Sequence, residues 1–168
     1  MATVLRYREA GAVDADIVFD MLMNAANWDP SREALTREQV AGDPKLSHYA
    51  AGWPRPGDLG FVAEDENGVG LGAVWLRYFG DDDPSYGFVD AHTPELSIGV
   101  DAAVRGLGVG TELCRRLLNA ADARGIPQVS LSVERANPAA ALYHRLGFRT
   151  VRDDGDAVTM ARQGPRTP

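Results

Sequence analysis

The sequence predicts a mixed α/β fold, on three observations. The first half carries short β runs joined by a turn, Gly60-Phe-Val-Ala-Glu64 followed by Asp65-Glu-Asn-Gly68. The second half alternates strand and helix patterns from Glu95 to Gly147. The chain then closes on another hairpin pattern around Asp153-Asp-Gly-Asp156. Strands, then a strand–helix–strand stretch, then a hairpin give the element order of a mixed sheet.

Taken in order, residues 2–8 read as a short first strand. Between 14 and 26, Ile17, Val18, Met21, Leu22 and Ala25 recur as one face of a helix, with Asp14 or Asp16 as its cap. Pro30, Pro44, Pro54 and Pro56 then interrupt the chain, leaving room for a short helix at 36–41. Asn67-Gly68 is the strongest short-range hairpin signal, and it joins a strand at 60–64 to its partner at 69–78. Asp81-Asp82-Asp83-Pro84 ends that hairpin in an acidic loop. Residues 86–91 and then 95–100 read as the next strand, interrupted near Thr93-Pro94. Over 108–124, Val109, Leu113, Leu117 and Ala121 fall at i, i+4, i+8 and i+12, widened by Cys114 and Leu118; this is an amphipathic helix capped by Gly125. A strand at 128–133 follows, then a helix at 138–146 with Pro138 in its first turn, where a missing N–H is tolerated. Gly147 ends that helix, and 148–152 with 157–161 form the last hairpin.

Composition bounds the function. The 168 residues make one domain's worth of chain, placed at 1–162, with 163–168 read as a frayed tail. A net charge of −7, from 17 basic and 24 acidic residues, argues against a nucleic-acid partner. No run approaches the ~18 apolar residues of a membrane span, so no membrane partner is expected. The start holds Arg6, Arg8 and Glu9 and lacks the apolar core of a signal peptide. Cys114 is the single cysteine and forms no internal disulfide, which points to the reducing cytoplasm. His48, His92 and His144 are scattered without metal-ligand spacing, so no metal is expected.

The chemistry concentrates in 95–111. A strand feeds a loop holding Gly106, Gly108 and Gly110, and a helix starts at once. Glycines there let backbone amides approach a bulky anion, and the helix start adds unpaired donors and partial positive charge. Arg105 adds a full charge. A P-loop would need Gly-Lys-Ser/Thr, whereas the loop reads Gly108-Val109-Gly110-Thr111. A dinucleotide fingerprint needs a third glycine at 111 or 113, where threonine and leucine stand. What matches is Arg-x-x-Gly-x-Gly, as Arg105-Gly106-Leu107-Gly108-Val109-Gly110.

With that loop, the sequence resembles the GNAT-type, acyl-CoA-dependent N-acetyltransferase superfamily. Three further signals agree: Ile98-Gly99-Val100-Asp101 before the loop, Asn137-Pro138 with Leu142-Tyr143 in the second helix, and Leu146-Gly147-Phe148 closing it. The resemblance covers residues 95–148 in specific terms. It implies an acyl-CoA N-acyltransferase fold with a splayed central parallel strand pair, and acetyl-CoA as cosubstrate. It further implies that the backbone of Ile98, Gly99 and Val100 pairs with the pantetheine arm. Arg105, Gly106, Leu107, Gly108, Val109, Gly110 and Thr111 would hold the pyrophosphate, and Asn137 would contact the cofactor. Tyr143 would protonate the leaving thiolate. Glu95, on the acceptor side, would take the amine proton, with Glu134 as a competitor and Ser132 at a position where some relatives carry a glutamate.

Each of these residues also has a plainer reading. Tyr143 fits a core aromatic, Glu95 a strand-end carboxylate, and Asn137 a helix cap before Pro138. Cys114 fits the core better than a nucleophile. Trp28, Tyr49 and Trp53 fit either core or acceptor-pocket walls. The expected activity is direct transfer of an acetyl group from acetyl-CoA to a primary amine. The alternative is a non-catalytic acyl-CoA-binding sensor or partner-binding domain on the same fold. A homodimer is left open, as is the identity of the acceptor. If the acidic turns at Asp81–Asp83 and at Asp153, Asp154 and Asp156 border the acceptor mouth, their field would favour a cationic amine.

Overall fold

Local patterning accounts for most elements of the computed structural model, which describes residues 3–166. The order is β1 (Arg6–Glu9), α1 (Ala15–Ala26), α2 (Arg37–Gly42), α3 (Pro44–Ser47), β2 (Leu59–Glu64), β3 (Gly70–Arg77) and β4 (Glu95–Val100), followed by α4 (Val109–Ala123), β5 (Gln128–Glu134), α5 (Ala139–Arg145), β6 (Arg149–Asp153) and β7 (Ala157–Gln163). The fold is mixed α/β. Of the first strand expected over 2–8, residue 2 lies outside the described residues, and the strand itself begins at Arg6. The chain divides into two compact units, one of 1–75 with 97–117 and the other of 76–96 with 118–168.

In the first unit the strands lie in the order β1-β2-β3-β4. β1 pairs antiparallel with β2, from Arg6 opposite Glu64 to Glu9 opposite Phe61. The Asp65–Gly68 turn joins β2 to β3, because the Asp65 carboxylate accepts from the Asn67 and Val69 amides, both at 2.9 Å. Glycines in β3 and β4 admit the helices. A Cβ on Gly70 would meet the Ile17 side chain of α1, and one on Gly72 would meet Leu113 of α4. Val18, Val62, Val74, Trp75 and Leu113 fill the core. Tyr49 and Trp53 are core as well; the Trp75 indole donates to the Tyr49 carbonyl and the Trp53 indole to the Gly11 carbonyl. Trp28 is half-buried beneath the Arg32 guanidinium. α2 starts at a capping box, with Thr36 and Gln39 each accepting from the other's backbone amide.

Asp14 or Asp16 was expected to cap α1, and Asp16 lies inside the helix. Asp14 lies in the cap position, yet its carboxylate instead accepts from the Gly11 amide and from Arg8 in a two-bond pair, each bond 2.8 Å. Arg8 also reaches Glu64, which pairs with Arg6. Asp14 and Glu64 are buried, so their charges are tolerable only with these guanidiniums. Hydrogen bonding to Arg8 holds the Asp14 carboxyl below its ordinary value, and that to Arg6 does the same for Glu64. A carboxyl depressed in the folded state contributes stability above its unfolded value and loses it as pH falls through the folded one. Stability is therefore expected to be level above about pH 4.5 and to fall below about pH 4. Asp14→Asn should lower the melting temperature at pH 7 and flatten the acid limb of a melting series. An unchanged acid limb would remove Asp14 from this role.

In the second unit the order is β4-β5-β7-β6. β4 and β5 run parallel, with Glu95 opposite Ser130. β5 pairs antiparallel with β7 along its whole length, from Gln128 opposite Gln163 to Glu134 opposite Ala157. The frayed tail expected over 163–168 is corrected at Gln163, which belongs to β7, and at Gly164, whose amide donates to the Pro127 carbonyl at 2.8 Å; residues 167 and 168 lie outside the described residues. Ladder bonds and a loop carbonyl outweigh the chain-end entropy there. A second correction concerns 86–91, expected as strand. This segment is turn and loop, and the strand begins only at Glu95.

Candidate active site

The candidate residues fall in both units. In the first, β4 leads through a 3-10 turn at Ala102–Val104 to the glycine loop and α4. Asp101 caps that turn by accepting from the Ala103 amide at 2.9 Å. Gly106 and Gly108 adopt φ of +75° and +81°, in the left-handed region, and nothing lies within 4 Å of where their side chains would start. Both conditions suit a backbone that must be approached closely. Arg105, Gly106, Leu107 and Gly108 are exposed, whereas Val109 is buried and starts the fifteen-residue α4. Amides in the first turn of a helix have no partner inside it, and here they open beside that space. Arg105 holds the loop's entry, its Nε donating to the Val100 carbonyl at 3.2 Å.

Ile98 and Val100 are half-buried and Gly99 is buried. The structure explains that glycine by packing. A Cβ on Gly99 would lie 2.0 Å from the Met21 carbonyl oxygen, so the α1 backbone rests directly on β4. Cys114, on the apolar face of α4, is fully buried, and burial pushes its thiol up to about 12.

In the second unit α5 carries Tyr143, which is 7% exposed. The Leu146-Gly147-Phe148 sequence is a helix stop with a physical role. Gly147 takes φ +94°, its amide donates to the His144 carbonyl, and the Phe148 amide donates back to the Tyr143 carbonyl at 3.0 Å. This is the paired-bond glycine termination of a helix. It brings the Phe148 ring edge-on to Tyr143, with centroids 6.0 Å apart. The stop thus fixes the residue expected to carry the acid. At the other end of α5 the Asn137 side-chain oxygen accepts from the Ala139 amide at 2.9 Å. The capping reading therefore describes that oxygen.

Glu95 begins β4 and is 2% exposed, and Glu134 ends β5 half-buried. A Cβ on Gly87 would come within 2.1 Å of the Glu95 Oε1, so Gly87 lies directly over that carboxyl. Sequence reasoning passed over Gly87, Ser130 and Arg152. Ser130 donates to the Gly87 carbonyl at 2.7 Å; Arg152 donates to the Phe88 carbonyl at 2.7 Å and to the Tyr86 carbonyl at 3.0 Å. Sequence separations of 43 to 66 residues leave no local signal for these contacts.

In the acidic turn between β6 and β7 two carboxylates have internal partners. Asp153 pairs with Arg135 at 2.7 Å, and Asp154 pairs with Arg152 while accepting from Thr159. The Gly155 amide and Arg135 hold the Asp153 carboxyl below its ordinary value, and Arg152 does so for Asp154. Each of these two charges is thus paired with an arginine of the chain. Among the described residues, no helix is long and apolar enough to cross a membrane, and no three His, Cys, Asp or Glu side chains group as metal ligands.

A profile of the Acetyltransferase (GNAT) family matches residues 20–148. A mycothiol acetyltransferase of Amycolatopsis mediterranei is 33% identical over 138 residues, 80% of this chain and 42% of that protein. One of Beutenbergia cavernae is 31% identical over 150 residues, 87% of this chain and 46% of that protein. The chain thus spans less than half the length of these curated relatives. Among solved structures, the yncA protein of Salmonella typhimurium with its cofactor acetyl-CoA superposes at a TM-score of 0.68. The match covers 99% of this chain and 97% of that one at 24% identity, and shows the shared fold. The family match spans the glycine loop, the Tyr143 helix and its glycine stop, and on that ground the chain belongs to the GNAT acetyltransferase family.

Proposed function

We propose that the chain transfers an acetyl group from acetyl-CoA directly to a primary amine. The observation that carries this reading is the Arg105–Thr111 stretch. Two left-handed glycines, with open space beside them, stand at the head of a long helix next to an arginine. In this reading the amides of Gly106 to Thr111 and the Arg105 guanidinium hold the pyrophosphate, and the backbone of Ile98 to Val100 receives the pantetheine arm as an added strand. Asn137 offers its side-chain amide to the cofactor while its oxygen caps α5.

When bound, acetyl-CoA supplies an electrophilic thioester carbonyl and a thiol leaving group. Glu95 takes a proton from the acceptor ammonium, leaving a neutral nucleophile. The neutral amine nitrogen bonds to the thioester carbonyl carbon, and the C–S bond breaks as the Tyr143 hydroxyl gives its proton to the departing sulfur. The surplus proton on the new amide nitrogen restores the Tyr143 hydroxyl; an ordinary phenol near pKa ~10 and a thiol near ~8.5 are close enough for that transfer. Cys114 supports direct transfer, since a buried thiol pushed up to about 12 makes a poor acyl carrier. The lone buried cysteine also supports a reducing, cytoplasmic setting.

The test is thiol release from acetyl-CoA with a panel of amines: an amino acid, an amino sugar, a polyamine, a peptide with a free N-terminus and, because of the relatives' name, a mycothiol-type amine. Release above the hydrolysis blank is expected with at least one amine, with a product one acetyl group heavier by mass spectrometry. CoA binding without release from any of them would support the non-catalytic sensor instead.

A further inference from the structure

We propose that Ser130 and Arg152 are positioning residues for Glu95, acting through the Tyr86–Phe88 segment. Three successive carbonyls of that segment are each held by a side chain. Arg152 donates to those of Tyr86 and Phe88, and the fully buried Ser130 hydroxyl donates to that of Gly87 between them. Arg152 is itself braced by the Asp154 carboxylate and the Thr159 hydroxyl. The segment so fastened lays Gly87 against Glu95. A Cβ at Gly87 would come within 2.1 Å of Glu95 Oε1, 2.7 Å of the Leu131 carbonyl carbon and 2.8 Å of the Ser132 amide nitrogen. Two of these neighbours are β5 backbone, so Gly87 has no room to retreat towards β5. Ser130 is also the residue opposite Glu95 in the parallel pair. One hydroxyl on β5 and one guanidinium on β6 therefore set the surface against which the Glu95 carboxyl is held.

This inference rests on the reading of Glu95 as the base, and a double-mutant cycle separates the two. Single-turnover acetyl transfer is measured at saturating acetyl-CoA, with the fastest amine of the panel above, for Glu95→Gln, Ser130→Ala, Arg152→Gln, Arg152→Lys and the two doubles with Glu95→Gln. Glu95→Gln should slow transfer about a hundredfold. Ser130→Ala and Arg152→Gln should each slow it about three- to tenfold, the value of one such hydrogen bond, with acceptor KM nearly unchanged. Arg152→Lys, which keeps a donor for one carbonyl, should recover part of the rate. In the Glu95→Gln background neither change should slow transfer further. If Glu95→Gln is silent, the base reading falls and the inference with it. If Glu95→Gln is slow but the Ser130 and Arg152 effects multiply with it, or are absent, the base reading stands and the positioning role is overturned. Arg152, being exposed, keeps the test sound should Ser130→Ala fail to fold.

Discussion

Tyr143→Phe is expected to lower the rate of acetyl transfer about 10²–10⁴-fold while leaving CoA affinity near the parent value. The substitution removes one hydroxyl and little else. The ring keeps its place because it is buried and packed edge-on to Phe148. The helix stop that orients it uses the backbone of Tyr143, His144, Gly147 and Phe148, which the change does not touch. A loss of rate with a retained fold is therefore a loss of chemistry. Single-turnover rates, with CoA binding followed by calorimetry, separate the chemical step from product release. An unchanged single-turnover rate would assign the acid to another group and leave Tyr143 as core.

Gly108→Val should raise the Kd for CoA roughly 10- to 100-fold. Gly108 holds φ +81°, a conformation that a β-branched residue resists at a cost of about 1–3 kcal/mol. The loop can relax only by moving the start of α4, where the Glu112 amide already bonds back to the Gly108 carbonyl. Moving it misaims the amides that would meet the pyrophosphate, and hydrogen bonds to a charged group contribute ~1.5–3 kcal/mol each. Val151→Ala, at a residue of β6 that is 56% exposed, is the control and should bind CoA as the parent does. Calorimetric titration with CoA decides the matter. Parent-like binding by Gly108→Val would place the phosphate site elsewhere.

Much of this molecule was legible because its devices are local. The Asn67-Gly68 turn, the helical stripe from Val109 to Ala121 and the glycine helix stops are each set by residues within a few positions of one another. The loop glycines were read locally as permitting close backbone approach, and the left-handed φ of Gly106 and Gly108 suits that. The Gly147-Phe148 pair shows how a family motif can be local physics. Glycine supplies the only inexpensive backbone for the stop, and phenylalanine packs back on Tyr143 in the last turn of the helix.

Other residues had two readings that only the folded arrangement of their partners could separate. Asp14 looked like a cap; Arg8 and the Gly11 amide made it a buried ion-pair partner. Gly99 looked like a place for a ligand's backbone; the Met21 carbonyl shows that a helix also needs the space. Residues 86–91 had the composition of a strand, yet the carbonyls of Tyr86, Gly87 and Phe88 went to Arg152 and Ser130 rather than to a neighbouring ladder. Gln163 looked like tail until its register with Gln128 drew it into β7.

The sequence by itself determined most element types, the glycine helix stops, the glycine-rich loop and the family. Each follows from propensity, backbone freedom or hydrophobic period over a few residues. The tertiary structure alone decided which carboxylates are buried, which acidic side chains already hold arginines, and what lies over Glu95. Those outcomes depend on desolvation and hydrogen-bond geometry, and the contacts over Glu95 join residues more than forty positions apart, which no local pattern encodes.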